Sequence, residues 1–464
     1  MKIVAIIVTL VCCGLMFIVK REWKAALLVM GAMTLTEVTI SGIPLHKANF
    51  LLQASFLLSE WKQLQQHAKR LWRMPYLVGL LFLVSGSALL AALTSKYTGI
   101  ADTIKSELLF RYFAIAYAFW AVKDEKSLKP VLQVSLYCLI VLTFFGVLNY
   151  IDKNAMFVNA LTEGKTSKIF EGVALGDVYT VSARFRVQSM FSSAFDYGYI
   201  CAAILILHFH GWRRHIESKT AFVIALVCCS FGILACGCRI VWVSILFSIA
   251  CYSMWVFQLS RNMIYGMFAM ILMVMSYYTI PAVEDKVNKV TDIFIENSET
   301  KGSSIQMRMT QYMLVLSQTE GNRLLGLGKG YWVHTFAEDR ESVSGLYGVE
   351  SVILGYMLER GIIGLILWAT SYTIIFLYFW RNRKKRKALT GLGGSILTLY
   401  LVFSIGTGEL SSVYPTMLLL GITMKMIESK KRRLMLYAVL WRILKRKKLT
   451  RRQQLLVILK AISR

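Results

Sequence analysis

Apolar residues run through this chain in long blocks, not in the short alternations of a water-soluble fold. Most blocks approach the roughly 20 residues that a helix needs to cross a ~30 Å hydrocarbon layer. The pattern predicts spans at 3–19, 25–42, 75–93, 109–122, 130–149, 197–210, 219–236, 240–258, 263–280, 350–380, 389–406 and 412–427. The run Phe50 to Trp61 is too short to cross upright and reads as a re-entrant or interfacial piece. The expected fold is all-α and polytopic, with about twelve or thirteen transmembrane helices. The first block follows a single Lys and lacks a small-residue cleavage site after it, so it reads as a retained span.

The polar positions between the blocks orient the chain. Basic segments begin at Glu60, Lys123, Gly211, Ser260 and Arg381, and by the positive-inside rule they mark the cytoplasmic side. Lys and Arg recur from Lys430 to Arg464 with no acid among them, around an apolar stretch "LMLYAVLWRIL". That composition predicts an amphipathic cytoplasmic tail lying on the anionic leaflet. Two long segments fall on the other side, from about Tyr150 to Ala194 and from about Pro281 to Val349. In the second, Ile305, Met309, Met313 and Leu316 share one helical face, and "GNRLLGLGKG" follows as a turn-rich break. A large helical extracytoplasmic loop before the last three spans is therefore expected. The predicted organisation is an N-terminal bundle over 1–280, the loop over 281–349, C-terminal helices over 350–427 and the basic tail over 428–464. The side of the N-terminus stays open.

Composition agrees with a membrane protein. Of 464 residues, 56% are hydrophobic and only 17% charged, and the mean hydropathy is +0.55. The net charge of +27 would suit nucleic acid. Its confinement to short loops and the tail argues for a membrane surface instead, and no nucleic-acid partner is expected. The nine cysteines lie in or beside apolar blocks, which speaks against a disulfide framework. Cys236 and Cys238 have no second Cys/His pair at ligand spacing, so packing is the expected role.

Several charges depart from this scheme. Arg184 and Arg186 stand at the outer mouth of a span, with Asp196 close by, and Arg239 lies between two spans on the outer side. Arg308 falls on the amphipathic helix of the large loop, with Arg323, Lys329 and His334 beyond it. Arginine forks match phosphate oxygens, so a shared anionic ligand is one reading and pairing with nearby acids or headgroups is the other. The stretch "GVESVILGYMLERGIIGLILW" opens the next span with Glu350 and Ser351 and holds Glu359, Arg360 and three glycines. On one continuous helix Glu350 and Glu359 would lie about 180° and roughly 13 Å apart. Glu350 would then sit at the outer mouth as a candidate base or a dipole-favoured helix start, and Glu359 would be structural.

In this order, "RFRVQSMFS", "GCRIVWVS", "RMTQYMLVL" with "LLGLGKGYW", and "ESVILGYMLERGIIGLILW" resemble the bacterial O-antigen ligase and polysaccharide polymerase family over roughly Ser182 to Trp368. The resemblance implies a metal-independent, cofactor-free inverting glycosyltransferase of the cytoplasmic membrane. Its substrate would be an undecaprenyl-pyrophosphate-linked oligosaccharide, used for capsule, exopolysaccharide or O-antigen. It implies that Arg186 (or Arg184), Arg239 and Arg308 hold the pyrophosphate, and that membrane lipids, a flippase and a chain-length regulator are partners. Ligases of the family carry a His just before the last-named span; here Val349, Glu350 and Ser351 stand there, and His334 is out of register. This favours polymerase over ligase, with Glu350 or His334 as the base. A lipid-linked oligosaccharide flippase is the alternative from another class. Against it, the mid-span regions are almost uncharged and no inverted repeat is visible.

Overall fold

The computed structural model describes residues 2–36, 38, 47–152, 186–257, 305–332, 334, 351–384, 386–408 and 411–446. The side chains of residues 305–310 and 430–446 lie outside that description, as does the expected span 263–280. All the regular elements described are helical: α1 Lys2–Ile18, α2 Arg21–Thr34, α3 Ala48–Ser59, α4 Leu64–Trp72, α5 Pro75–Leu93, α6 Ile100–Thr103 running into a π-helical turn Ile104–Tyr112, α7 Ala114–Ala121, α8 Leu128–Asp152, α9 Ala194–Arg213, α10 Lys219–Ala235, α11 Arg239–Phe257, α12 Ile305–Gln318, α13 Val352–Asn382, α14 Lys387–Ile405 and α15 Val413–Arg446. Two short 3₁₀ turns, Trp61–Gln63 and Glu125–Ser127, link them.

Local chemistry sets several boundaries. Pro75 opens α5, where its missing N–H has no partner to lose. Ser193 Oγ accepts from Phe195 N and Ser218 Oγ from Ala221 N, capping α9 and α10. Among the described residues, five helices are long and apolar enough to cross a membrane: Pro75–Leu93, Glu125–Asp152, Arg239–Val256, Val352–Asn382 and Lys387–Ile405. Large apolar side chains on α1, α8 and α10 stay exposed, among them Ile3, Phe17, Phe144 and Val227. Such a belt would be a liability in water and suits lipid. The protein is an all-α, multi-pass membrane protein.

One contiguous core links α1 to α15. In it α11 packs along α14, α13 along α5, α15 along α7 and α9 along α10. Its largest wholly buried side chains include Tyr112, Tyr199, Tyr372, Tyr400 and Tyr414. Buried phenols need partners, and two of these find them: Tyr112 Oη pairs with Tyr356 Oη at 2.6 Å, and Tyr199 Oη with Thr416 Oγ1 at 2.5 Å.

Three predicted elements differ. The span expected at 109–122 is split between the π-helical turn and α7. The span expected at 25–42 stops as a helix at Thr34. The segment expected to be one helix from 350 begins at Val352 and is broken at Gly361, whose φ is 62° and ψ −165°. The angular argument that separated Glu350 from Glu359 on a continuous helix therefore does not apply across that break. The helix after Val413 also runs through residue 428, where the chain turns basic, and on to Arg446.

Candidate functional site

Two sets of side chains are described around α13, one toward its start and one at its break. The first contains Arg186 and Arg239. The segment carrying Arg186 is pinned to the bundle through its backbone. Val187 N donates to Ala235 O at 3.1 Å, Gln188 N to Asn149 Oδ1 at 2.9 Å, and Ser189 Oγ to Leu142 O at 2.6 Å. Arg186 itself is exposed, and its guanidinium lies 5.3 Å from the centroid of the Phe195 ring. Ala235 ends α10, and the chain turns through Gly237, at φ 62°, into Arg239, the first residue of α11. Arg186 and Arg239 thus flank the same corner. A cation in the first turn of a helix sits at the positive end of the dipole, so helix stability does not account for Arg239. A helix N-terminus beside guanidinium groups is a place where an anion is favoured.

Other helix ends meet there. The Ile240 side chain abuts Gly406, so closely that a Cβ on Gly406 would lie 2.6 Å from Ile240 Cδ1. The next carbonyl, Thr407 O, accepts from Val352 N at 2.9 Å, which brings the start of α13 to the rim. Ser411 Oγ donates to Asp196 Oδ2 at 2.5 Å, tying the start of α9 to the turn before α15. Ser351, the N-cap of α13, is 7% exposed. Cys236 and Cys238 are buried at this corner and donate to Ile233 O and Cys236 O, which is the packing role expected of them.

The other candidates are placed less fully. Arg184 and Glu350 lie outside the described residues; Glu350 precedes Val352 by two positions. Arg308 is on α12, with its side chain outside the description. That helix packs on the start of α13, Val315 lying with Leu354 and Leu358 in one small apolar cluster. Arg308 is two turns before Val315, roughly 10 Å along the axis. His334 is exposed and belongs to a different neighbourhood, its ring centroid 4.6 Å from that of Tyr97.

The second set is a wedge that sequence reasoning did not foresee. Residues 323–330 enter the break in α13 and supply the hydrogen bonds that the break removes. Leu327 N donates to Leu358 O at 2.9 Å and Gly328 N to Glu359 O at 3.0 Å. On the far side of the break, Ile362 N donates to Arg323 O at 2.9 Å and Ile363 N to Leu324 O at 3.2 Å. Exposed backbone at membrane depth is tolerated only when satisfied in this way. Only glycine fits the crossing: a Cβ on Gly361 would lie 2.4 Å from Leu324 O, and one on Gly326 2.5 Å from Arg360 N. The wedge is also fastened to the end of α5, with Lys329 N donating to Ala91 O at 2.9 Å and Ser95 Oγ to Lys329 O at 2.5 Å.

Beneath it lies a buried charge cluster. Glu107, on the π-helical turn, accepts from Arg360 Nη2 through Oε1 and from Lys329 Nζ at 3.0 Å through Oε2. Arg360 Nη1 also donates to Ser87 Oγ at 3.1 Å, and its guanidinium stacks 4.1 Å from the Tyr356 ring centroid. Burial alone would penalise the Glu107 carboxylate, and the two cations Arg360 and Lys329 compensate its charge. Glu359 Oε1 accepts from Gly330 N at 2.9 Å, a structural role consistent with its place beside Arg360. The signal that was available was Glu107 itself, a carboxylate just ahead of an apolar run.

No curated protein matches the chain. Residues 224–369 match the family model described as O-Antigen ligase. That region includes Arg239, Arg308, the wedge and the first half of α13, whereas Arg186 precedes it. Across residues 224–369 the chain is thus similar to the O-antigen ligase/polymerase family.

Proposed function

We propose that this protein is a polysaccharide polymerase that joins undecaprenyl-pyrophosphate-linked repeat units at the outer face of the cytoplasmic membrane, with its C-terminus cytoplasmic. The observation that carries the reading is the corner shared by Arg186 and Arg239, beside the start of α13 that Glu350 precedes. Arg186, Arg239 and Arg308 bind the donor's pyrophosphate, with Arg184 as the alternative to Arg186. Fixed cationic donors aimed at a leaving group lower its departure barrier without reorganising during the reaction. The acceptor sugar hydroxyl attacks the anomeric carbon and forms the new glycosidic bond. The bond to the pyrophosphate breaks, and its electron pair leaves with the undecaprenyl carrier. Glu350 takes the hydroxyl proton. Attack from the face opposite the leaving group inverts the anomeric configuration. Positive charge supplied by arginines makes a metal unnecessary in this scheme.

Transfer to a different acceptor, as in a ligase, is the second reading, because the matched family model is described as O-Antigen ligase. The absence of a His immediately before Glu350 supports polymerisation instead. The test is a transfer assay with purified protein and lipid-linked repeat units as both donor and acceptor, run with and without EDTA. Products longer than one repeat, formed equally in both, support the proposal. An absolute requirement for a different acceptor moves the assignment to ligase.

A further inference from the structure

A cavity of about 350 Å³ lies away from the arginine corner, at the end of the bundle that the positive-inside pattern assigns to the cytoplasm. Five cationic side chains line it: Arg21, Arg70, Arg73, Lys123 and Lys425. Only Asp124 and Glu428 oppose them. Asp124 Oδ1 is engaged locally, accepting from Lys126 N at 2.9 Å. Glu60, the next carboxylate toward Arg21, accepts from Lys24 Nζ at 2.7 Å and pairs with His67 Nε2 at 3.0 Å. The excess positive charge of the lining is therefore not cancelled by Glu60.

Two of the cations are held in place by the protein. Arg21 Nη2 and Nε both donate to Trp120 O, at 2.5 and 3.2 Å. Lys425 is only 8% exposed, with Nζ 4.7 Å from the Phe119 ring centroid. A merely solvated basic surface would not bury a lysine at its floor. Arg70 and Arg73 lie one helical turn apart at the end of α4, and Lys123 faces them from the loop after α7. Cations fixed in a concavity with apolar walls focus their field inward, and guanidinium forks match phosphate oxygens.

We infer that this cavity is a binding site for a phosphate or pyrophosphate group presented from the cytoplasmic side, separate from the outer-face site. The group arrives either on an anionic lipid headgroup or free in solution, and the two arms of one experiment distinguish these sources. Full-length protein is placed in phosphatidylcholine nanodiscs containing phosphatidylglycerol, and retained lipid is counted by native mass spectrometry. In parallel, the detergent-solubilised protein is titrated calorimetrically with inorganic pyrophosphate. Arg70→Gln and Arg73→Gln are compared with the double variant Lys219→Gln/Lys387→Gln, which removes exposed charge from the same face outside the cavity. Phosphatidylglycerol binding that weakens roughly tenfold per cavity cation, and not in the double variant, identifies a lipid headgroup. The same dependence for pyrophosphate identifies a free ligand. If neither probe binds, or if the double variant loses as much as the cavity variants, the inference is overturned, and the outer-face reading is untouched because it is measured by transfer.

Discussion

Arg360 and Glu107, 253 positions apart, form a buried ion pair directly beneath the wedge that interrupts α13. Lys329, carried by the wedge, is the third member, so one carboxylate ties together the π-helical turn, α13 and the large loop. Removing one partner of such a pair leaves an uncompensated buried charge, which typically costs ~3–5 kcal/mol. Glu107→Leu and Arg360→Met are each expected to lower the thermal unfolding midpoint in detergent markedly. The double variant is expected to recover much of the loss. Equal stability of the single variants and wild type would contradict the role given to this pair.

Gly361 and Gly355 make a matched test of the wedge. At Gly361 a Cβ would collide with the Leu324 carbonyl and adopt a disfavoured positive φ, whereas at Gly355 nothing lies within 4 Å. Gly361→Ala is expected to cost more than about 2 kcal/mol and to reduce transfer. Gly355→Ala should stay within about 0.5 kcal/mol of wild type. Midpoints from chemical denaturation of the two purified variants decide it.

Arg186→Ala and Arg239→Ala are expected to reduce transfer by roughly 10²–10³-fold while leaving unfolding midpoints nearly unchanged. Lysine at either position should restore part of the rate, since charge returns without the bidentate fork. Transfer rates near wild type in a folded Arg239→Ala protein would remove Arg239 from the site.

The helical, membrane-spanning character was legible because it rests on local composition. The span expected at 75–93 coincides with Pro75–Leu93, and that expected at 389–406 nearly matches Lys387–Ile405. The break in α13 was not legible: the residues that satisfy Leu358 O and Glu359 O come from 327 and 328, about thirty positions earlier, and no periodicity encodes them. Gly361 is one of three glycines in its stretch of sequence, and only its close approach to Leu324 reveals a crossing. Arg186 and Arg239 stand apart from the basic loops in the sequence, but the corner they flank depends on the bond from Val187 to Ala235, a tertiary contact between segments almost fifty residues apart.

A deletion strain complemented with wild type or with Arg308→Ala separates polymerisation from ligation when its lipid-linked and surface glycans are resolved on a gel. Insertion and abundance of the variant are checked on the same membranes. The deletion and the variant are both expected to accumulate single repeat units on the carrier and to lose the long-chain glycan. Full-length polymer held on the carrier, unattached, would instead indicate a ligase. Normal polymer made by a correctly inserted Arg308→Ala protein would contradict the pyrophosphate site.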